Sequence, residues 1–461
     1  MARLTLCLIA RNEEEMLPDC LASVRGIADE VVLVDTGSTD RTREIARAAG
    51  AAVLERPWDD DFAAPRNLAA RHARGDWLLV LDADERLVPG MKKPLREAMR
   101  MRTFDCGMVR LHNARRPDAP FADIVSGAER HGMPHWLPRL VRNVGEPTWK
   151  GAIHESVGEW LVRRKGLRRN LPVDVVHLGY VPSLLVSRKK RERNIALLRR
   201  RAELEPDDVT PRGYLALELL EAGREEEARH VADEAWAMID LQPRERDVAR
   251  IAVARGLLAL RRADPVGVLD AADRGERHNG PHPDFDFLRG YAHEVRALRE
   301  PARSPERTAE LESAERSFRS ALARLGEDVA FDFLGTVNEA RAGMHLGVIH
   351  LLSGRPADAL NAFAAVLKAE PENGSARIGA AEALIEVGQP SKALATVEKA
   401  LDRRPDGWIV ASAAALALGA RSDAKLFLDQ AVTRNTSGYE APHRYGIQRQ
   451  IEAALGLGTP A

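Results

Sequence analysis

Cysteine is scarce in this chain. Cys7, Cys20 and Cys106 are the only three in 461 residues, with no CxxC spacing and no Cys–His cluster. That argues against both a disulfide framework and a structural zinc site. A surplus of either charge is also missing: 68 Lys and Arg face 69 Asp and Glu, leaving a net charge of −1. The chain as a whole is therefore no polyanion binder, and no nucleic-acid partner is expected. Long hydrophobic runs are absent too. The apolar run Leu4 to Ala10 meets Arg11-Asn12-Glu13 at once, which is too short for a signal-peptide core, and no other segment reaches the ~18 apolar residues of a membrane span. A soluble protein of a reducing compartment, the cytoplasm, is expected. What is present suits ordinary folding: 45% apolar and 30% charged residues, enough for buried cores in about two to four domains and unlike a disordered or collagenous chain.

The first third alternates strand-like and helix-like patterns. Leu4 to Ala10 is a short apolar run that stops at a polar turn, and Glu14 to Arg25 carries apolar residues at helical spacing. Val31-Val32-Leu33-Val34 is β-branched and too short for anything but a buried strand. Asp35-Thr36-Gly37-Ser38-Thr39-Asp40 breaks it, and Ser38 or Thr39 is placed to cap a helix running to Ala49. A third strand near Ala51 to Glu55, a helix around Arg66 to Arg74 and a fourth strand, Trp77 to Leu81, follow. Strands separated by single helices imply a parallel sheet covered on both faces, an α/β half-domain of nucleotide-binding type.

Beyond residue 200 strand signals vanish and Ala-, Leu-, Glu- and Arg-rich helical periodicity takes over. Gly354 matches Gly388, Ala359 matches Ala393, Leu367 matches Leu401 and Pro371 matches Pro405, each pair 34 residues apart. That period, with a small residue at the turn and Pro after the second helix, is the tetratricopeptide signature. A weaker earlier copy surrounds Gly223 and Ala228, and a degenerate one Gly419 and Ala424. Such helix pairs must stack into an array, because none buries a core alone. Pro265 to Pro305, with its Gly, His and Pro, reads as an irregular connection. From Arg163 to Arg201, Lys and Arg are opposed only by Asp174 and Glu192. A solvated helix leading into the repeats, or attraction to a diphosphate, anionic lipid or acidic acceptor, both account for that stretch.

Chemistry concentrates at Leu81-Asp82-Ala83-Asp84-Glu85. A strand ending there stands at the carboxyl edge of the sheet, where α/β domains place ligands. Asp82 and Asp84, two apart, face one crevice. Paired oxygen ligands that leave positions open suit Mg²⁺ or Mn²⁺ held together with a diphosphate. Ala10-Arg11-Asn12-Glu13, Asp35 with the small Thr36-Gly37-Ser38 turn, and Arg66-Asn67 fall on the same edge. Asp35 is placed to accept from a base imide or a ribose hydroxyl. No GxGxxG and no Walker A sequence follows any strand, so nicotinamide and ATPase readings lack support. Asp59-Asp60-Asp61 reads as a solvated turn, and the cysteines as buried small hydrophobes.

The run from Leu6 to Leu87, with VDTGSTD, WDDDFAAPRN and DWLLVLDADERL, resembles family 2 glycosyltransferases of GT-A fold. Within them it is most similar to the branch of lipopolysaccharide-core β-1,4-glucosyltransferases and sublancin-type peptide S-glycosyltransferases, the latter also carrying tetratricopeptide-like helices. The resemblance covers roughly residues 4–200. It implies that Asp84 is a metal ligand with Asp82 beside it and the ribose, that Asp35 reads the base, and that Arg66 and Asn67 lie near the donor. Thr36 stands where many members have a second acid, which leaves base choice less secure than fold. Pro138 to Asn143 followed by Trp149 to Glu155 resembles the branch's R-L-x-R-N…W-x-G-x-I-H-E, and His177-Leu178-Gly179-Tyr180 its closing H-x-G-Y. On that basis Glu155 is the first choice of general base and His154 the second, the rival being that the pair braces the acceptor loop. His177 is a third metal ligand or packs the domain seam. Trp149 and Trp136 are acceptor-stacking candidates.

The expectation is an α/β GT-A (Rossmann-like) catalytic domain at 1–185, a basic helical connector at 186–205 and an all-α tetratricopeptide-repeat solenoid at 206–461. The expected activity is metal-dependent inverting transfer of a hexose from a nucleotide diphosphate sugar, a UDP-sugar by first choice. Ala10, Arg11, Asn12, Glu13, Asp35, Gly37, Ser38, Arg66, Asn67, Asp82 and Ala83 would bind the donor. Asp84, Asp82 and His177 would hold Mn²⁺ or Mg²⁺, and the repeats would recruit a protein or peptide acceptor. A lipopolysaccharide or lipid-linked acceptor, with membrane-surface contact through the basic connector, and a catalytically dead repeat scaffold are the alternatives.

Overall fold

The computed structural model describes residues 2–144, 146–179, 187–243, 247–325, 337–435 and 441–457. Tyr180, which ends the H-x-G-Y motif, lies outside them. The alternating runs form β1 (Leu4–Ala10), α1 (Leu17–Ser23), β2 (Glu30–Asp35), α2 (Thr42–Ala48), β3 (Ala52–Glu55) and α3 (Ala63–His72). β4 (Trp77–Asp82), β5 (Glu85–Leu87), α4 (Lys92–Arg100), β6 (Cys106–Ala114) and α5 (Phe121–Ser126) follow. The mixed region ends with β7 (Arg130–Arg142), α6 (Gly158–Arg164) and β8 (Arg168–His177).

The strands make one sheet in the order β3-β2-β1-β4-β7-β6-β8-β5. The first four are parallel, as their short apolar runs predict. The expected all-parallel sheet stops there. β7 enters antiparallel to β4 and β6, β6 lies parallel to β8, and β5 pairs antiparallel with β8. The link from β6 to β7 carries only the short α5, so the chain turns back on itself instead of making the helical crossover that parallel neighbours need.

Alternation along the strands splits the core into two layers. Leu4, Leu6 and Leu8 of β1, with Leu79, Leu81, Val109, Leu111, Val173 and Val175, pack under α1 and α4. Cys7, Val32, Val34, Leu78, Val80 and Met108 face the other way, against α3, α6 and Trp149. Burying each such Val or Leu stabilises by roughly 1.5–3 kcal/mol. All three cysteines are buried and unpaired, and burial raises their thiol pKa.

Local turn chemistry differs from expectation at two points. Neither Ser38 nor Thr39 caps α2: Arg41 stands at its N-cap, Asp40 before it accepts from Thr42 N at 3.0 Å, and Ser38 is drawn to another strand end. Asp61 does not merely face solvent. It accepts from Ala63 N at 2.7 Å and Ala64 N at 3.1 Å and so starts α3, whereas Asp59 pairs with Arg56 and Asp60 accepts from the Trp58 indole.

The rest is helical: α7 (Ser187–Leu204), α8 (Val209–Glu221), α9 (Glu225–Ala237), α10 (Ala249–Arg261), α11 (Pro265–Asn279), α12 (Pro283–Arg299) and α13 (Pro305–Arg324). Then come α14 (Glu339–Leu352), α15 (Pro356–Ala369), α16 (Gly374–Glu386), α17 (Pro390–Val397), α18 (Pro405–Ala417), α19 (Arg421–Arg434) and α20 (Arg444–Leu455). Pro265 to Pro305 is thus not an irregular connection. Pro265, Pro283 and Pro305 stand at first helical positions, where no N–H is needed, behind the caps Asp264, His282 and Ser304, while Pro281 and Pro301 lie in the short links between helices. In the repeats, Gly354 and Gly388 take φ of +67° and +76° and end one helix two residues before Pro356 and Pro390 begin the next.

Two compact units result, and they meet between Ala254 and Arg255. This division falls later in the chain than the expected start of the repeats at 206, and α7, α8 and α9 belong to the first unit. Four basic residues of α7 are matched within that unit. Arg191 pairs with Glu221, Arg199 with Glu227, Arg200 with Asp60 and Arg201 with Glu205. Among the described residues no helix is long and apolar enough to cross a membrane.

Candidate active site

Register brings three strand ends together. Ala10 lies beside Asp35 across the β1–β2 pairing, and Ile9 beside Asp82 across the β1–β4 pairing. The first two ends are stitched by polar bonds. Asn12, at φ +57°, donates its N–H to Ser38 Oγ (2.9 Å) and accepts from Thr39 N (2.8 Å). Glu13 N donates to Thr42 Oγ1 at 2.8 Å, and Thr36 N to the Ala10 carbonyl at 2.9 Å. Asp35 is buried and accepts from Ser38 N at 3.1 Å and Gly37 N at 3.3 Å. Gly37 holds φ +109° to make that turn. Arg11, just after β1, is exposed, and Ala83, just after β4, is buried.

At the third end the two aspartates, equal in the sequence, have different partners. Asp82 accepts from Arg66 Nη2 at 2.8 Å and Arg139 Nη2 at 3.1 Å. Arg66 also donates to Glu155, and Arg139 to Glu85. The result is a chain Glu155–Arg66–Asp82–Arg139–Glu85. Burial alone would raise the pKa of Asp82, but the two guanidinium charges outweigh it and hold the carboxyl far below its usual range. Burial, reinforced by the charges of Asp82 and Asp84 against that of Arg139, pushes Glu85 up to about 7. Asp84 instead meets His177, Oδ2 to Nε2 at 3.3 Å. His177 Nδ1 is 2.8 Å from Asn113 Oδ1. The amide oxygen can only accept, so Nδ1 carries the proton and the Nε2 lone pair faces Asp84 when the ring is neutral. Proximity to Asp84 outweighs burial and raises the pKa of His177.

Arg139 reaches the site through a bulge. Met108 pairs with Pro138 and Gly107 with Leu140, so β7 carries one extra residue between them. That residue is Arg139, turned out of the ladder toward Asp82. Arg139 and Glu85 stand inside motifs read from the sequence but were given no role there, and Asn113 was not singled out. The available signal was Pro138, since Pro inside a strand marks an edge or a bulge.

The remaining expected residues separate. Asn67 is no free donor ligand: its amide exchanges two bonds with the Trp149 backbone, at 2.7 and 2.9 Å. Trp149, only 4% exposed, packs in the core, which removes it from any acceptor surface. Trp136 is half-buried, with Arg110 5.9 Å from its ring centre. His154 stacks on Tyr214 of α8 at 3.9 Å, away from Glu155's partners. The residue remains exposed to solvent, and its surroundings with the charges of Arg250 and Arg201 lower its pKa. Glu155 itself has Oε1 on Arg66.

The Glu155 loop is held from both sides. Phe62 N donates to the Ala152 carbonyl at 2.8 Å, and Lys150 and Ser156 exchange two backbone bonds at 3.0 Å. Arg201 of α7 donates to the Ile153 carbonyl at 2.8 Å. Gly151 takes φ +105°, and a Cβ there would lie 2.7 Å from the Arg201 guanidinium. Gly151→Ala is expected to destabilise the first unit by about 1–3 kcal/mol, through backbone strain and displacement of Arg201. Chemical denaturation would measure this.

Asp84 and His177 fit a divalent cation. A histidine whose other nitrogen donates to an amide oxygen has the orientation of a metal ligand. Gly179 keeps the space clear, for a Cβ there would sit 2.5 Å from both Asp84 Oδ2 and His177 Nε2. Among the described residues no group of three His, Cys, Asp or Glu forms a complete cage. The pair therefore suits an ion such as Mg²⁺ or Mn²⁺ that takes its other ligands from substrate phosphate and water.

Comparison with known proteins finds relatives for both regions of the chain. Residues 5–169 match the Glycosyl transferase family 2 model and residues 350–418 match Tetratricopeptide repeat. The chain thus carries a family 2 glycosyl transferase domain of α/β fold ahead of a tetratricopeptide region. It is 37% identical over 201 residues to a TPR repeat-containing protein of Synechococcus elongatus, covering 42% of this chain and 46% of that one. It is 26% identical over 232 residues to the SPbeta prophage-derived glycosyltransferase SunS of Bacillus subtilis, covering 49% and 51%. The chain therefore spans about half the length of these curated relatives. A crystal structure of a tetratricopeptide repeat protein from Parabacteroides merdae aligns with 58% of this chain and 94% of its own, at 15% identity and a TM-score of 0.39.

Proposed function

We propose that this chain is a metal-dependent inverting glycosyltransferase. It would move a hexose from a nucleotide diphosphate sugar, a UDP-sugar by first choice, to a protein or peptide side chain recruited by its repeats, in the cytoplasm. The observation that carries this reading is the Asp84–His177 pair, 3.3 Å apart and oriented through Asn113, at the strand edge that also holds Asp35 and Asp82.

Charge supports it. Among the described residues Asp82, Asp84, Glu85 and Glu155 pair with Arg66, Arg139 and His177. A site with that balance repels a diphosphate unless a cation accompanies it. Bound between Asp84, His177 and the diphosphate, Mn²⁺ or Mg²⁺ would neutralise the leaving group. Asp35 would accept from the base or ribose beside the Gly37–Ser38 turn. Arg66 and Arg139 fix Asp82, and through it the strand end against which the donor lies. A peptide acceptor is preferred over a lipid-linked one because repeat arrays present extended binding surfaces and Arg191, Arg199, Arg200 and Arg201 of α7 already have carboxylate partners.

The test is calorimetric titration of UDP into the full chain with and without Mn²⁺. Affinity is expected to fall at least about tenfold when EDTA replaces the metal. Equal binding in both conditions, or none in either, would defeat the proposal.

A further inference from the structure

One half-buried titratable ring has no role in the account above and lies on the same sheet face as Asp84 and His177. Across β6, Asn113 pairs with His177 on β8, and Leu111 pairs with His135 on β7. Leu111 and Asn113 are two apart and face the same side, so His135 and His177 flank β6 on one face. Val109 and Leu137, the next pair on that face, lie in or against the core layer under α1 and α4. His135 therefore stands where the apolar layer gives way to the polar strand edge. It is neither fully buried nor exposed, and no hydrogen bond engages its ring among the described residues. The charged groups that bear on it are His177 from β8 and Arg130 from its own strand; with burial they lower its pKa. Glu155, by comparison, already has Oε1 on Arg66.

We propose that His135, rather than Glu155, removes the proton from the attacking acceptor, a role that rests on the glycosyltransferase reading above. In this step the acceptor's O–H or S–H bond breaks and its electron pair forms the bond to the anomeric carbon. The bond from that carbon to the diphosphate oxygen breaks, its electrons leave with the nucleoside diphosphate, and the proton rests on the His135 ring. Water in the acceptor's place undergoes the same step, which makes donor hydrolysis a usable probe.

The experiment compares the native chain, His135→Gln, His135→Ala and Glu155→Gln for UDP-glucose hydrolysis with Mn²⁺ across the acid to mildly alkaline range, alongside UDP–Mn²⁺ calorimetry. His135→Gln is expected to lower kcat by about 10²–10⁴-fold, leave UDP affinity unchanged and remove the acidic limb of the rate profile. Added imidazole should restore part of the rate to His135→Ala. A native rate and profile in His135→Gln, with the loss confined to Glu155→Gln, would overturn the assignment. So would a rate loss matched by weaker UDP binding, or a native chain that binds UDP with Mn²⁺ yet hydrolyses no donor. A native chain that binds no UDP at all would fail the glycosyltransferase reading itself, and the assignment with it.

Discussion

Arg66→Met is expected to lower the stability of the first unit by about 3–5 kcal/mol, the cost of removing one partner from a buried ion pair. Arg66 is 7% exposed and joins α3 to the end of β4 and to the loop holding Glu155. Methionine fills much of its volume, so the loss isolates the charge. Asp82 would keep Arg139, but Glu155 would keep no cation seen here. Adding Glu155→Leu to Arg66→Met should recover part of the loss, since apolar replacement of both partners can be neutral. Every tryptophan except Trp408 precedes residue 255, so urea unfolding followed by tryptophan fluorescence reports chiefly on this unit. An exposed pair such as Arg47–Glu55 supplies the control, expected to contribute under about 1 kcal/mol. A change of that small size at Arg66 would show that the chain of charges is dispensable.

The second large effect separates two residues that the sequence presents as equals. Asp84→Asn is expected to abolish the metal dependence of UDP binding and to lower donor turnover by at least about 10³-fold, roughly 4 kcal/mol of transition-state stabilisation. Its urea midpoint should stay near that of the native chain, because the asparagine amide can donate to the Nε2 lone pair of His177 and, among the described residues, no buried arginine depends on Asp84. Asp82→Asn should behave in the opposite order. Removing that charge leaves Arg66 and Arg139 buried without their shared anion, so unfolding at lower urea should be the first symptom. Calorimetry with Mn²⁺ and urea titration on both variants would measure the contrast. Identical behaviour of the two variants would refute the division of labour.

The strand edge was readable in the sequence because it depends on local pattern. Short apolar runs ending in Asn12, Asp35 and Asp82 place those residues whatever the distant chain does. Partners far along the chain were not readable. Nothing near Asn67 announces that its amide meets Trp149, and nothing near Trp149 announces its burial against α3. Arg139 depends on a one-residue slip between β6 and β7, which only pairing creates. His154 faces Tyr214, sixty residues on in a helix that periodicity assigned to a separate domain. The prolines between 265 and 305 misled for a different reason: the same residue that interrupts a helix also begins one, and only the cap before it distinguishes the two.

The bond from Arg201 to the Ile153 carbonyl bears on where this enzyme domain can be trimmed. The family match stops at residue 169, partway along β8, yet the arginine that steadies the Glu155 segment sits more than thirty residues later. A fragment cut at the match would omit that support and most of β8, so the smallest piece that keeps the Glu155 segment braced reaches past Leu204.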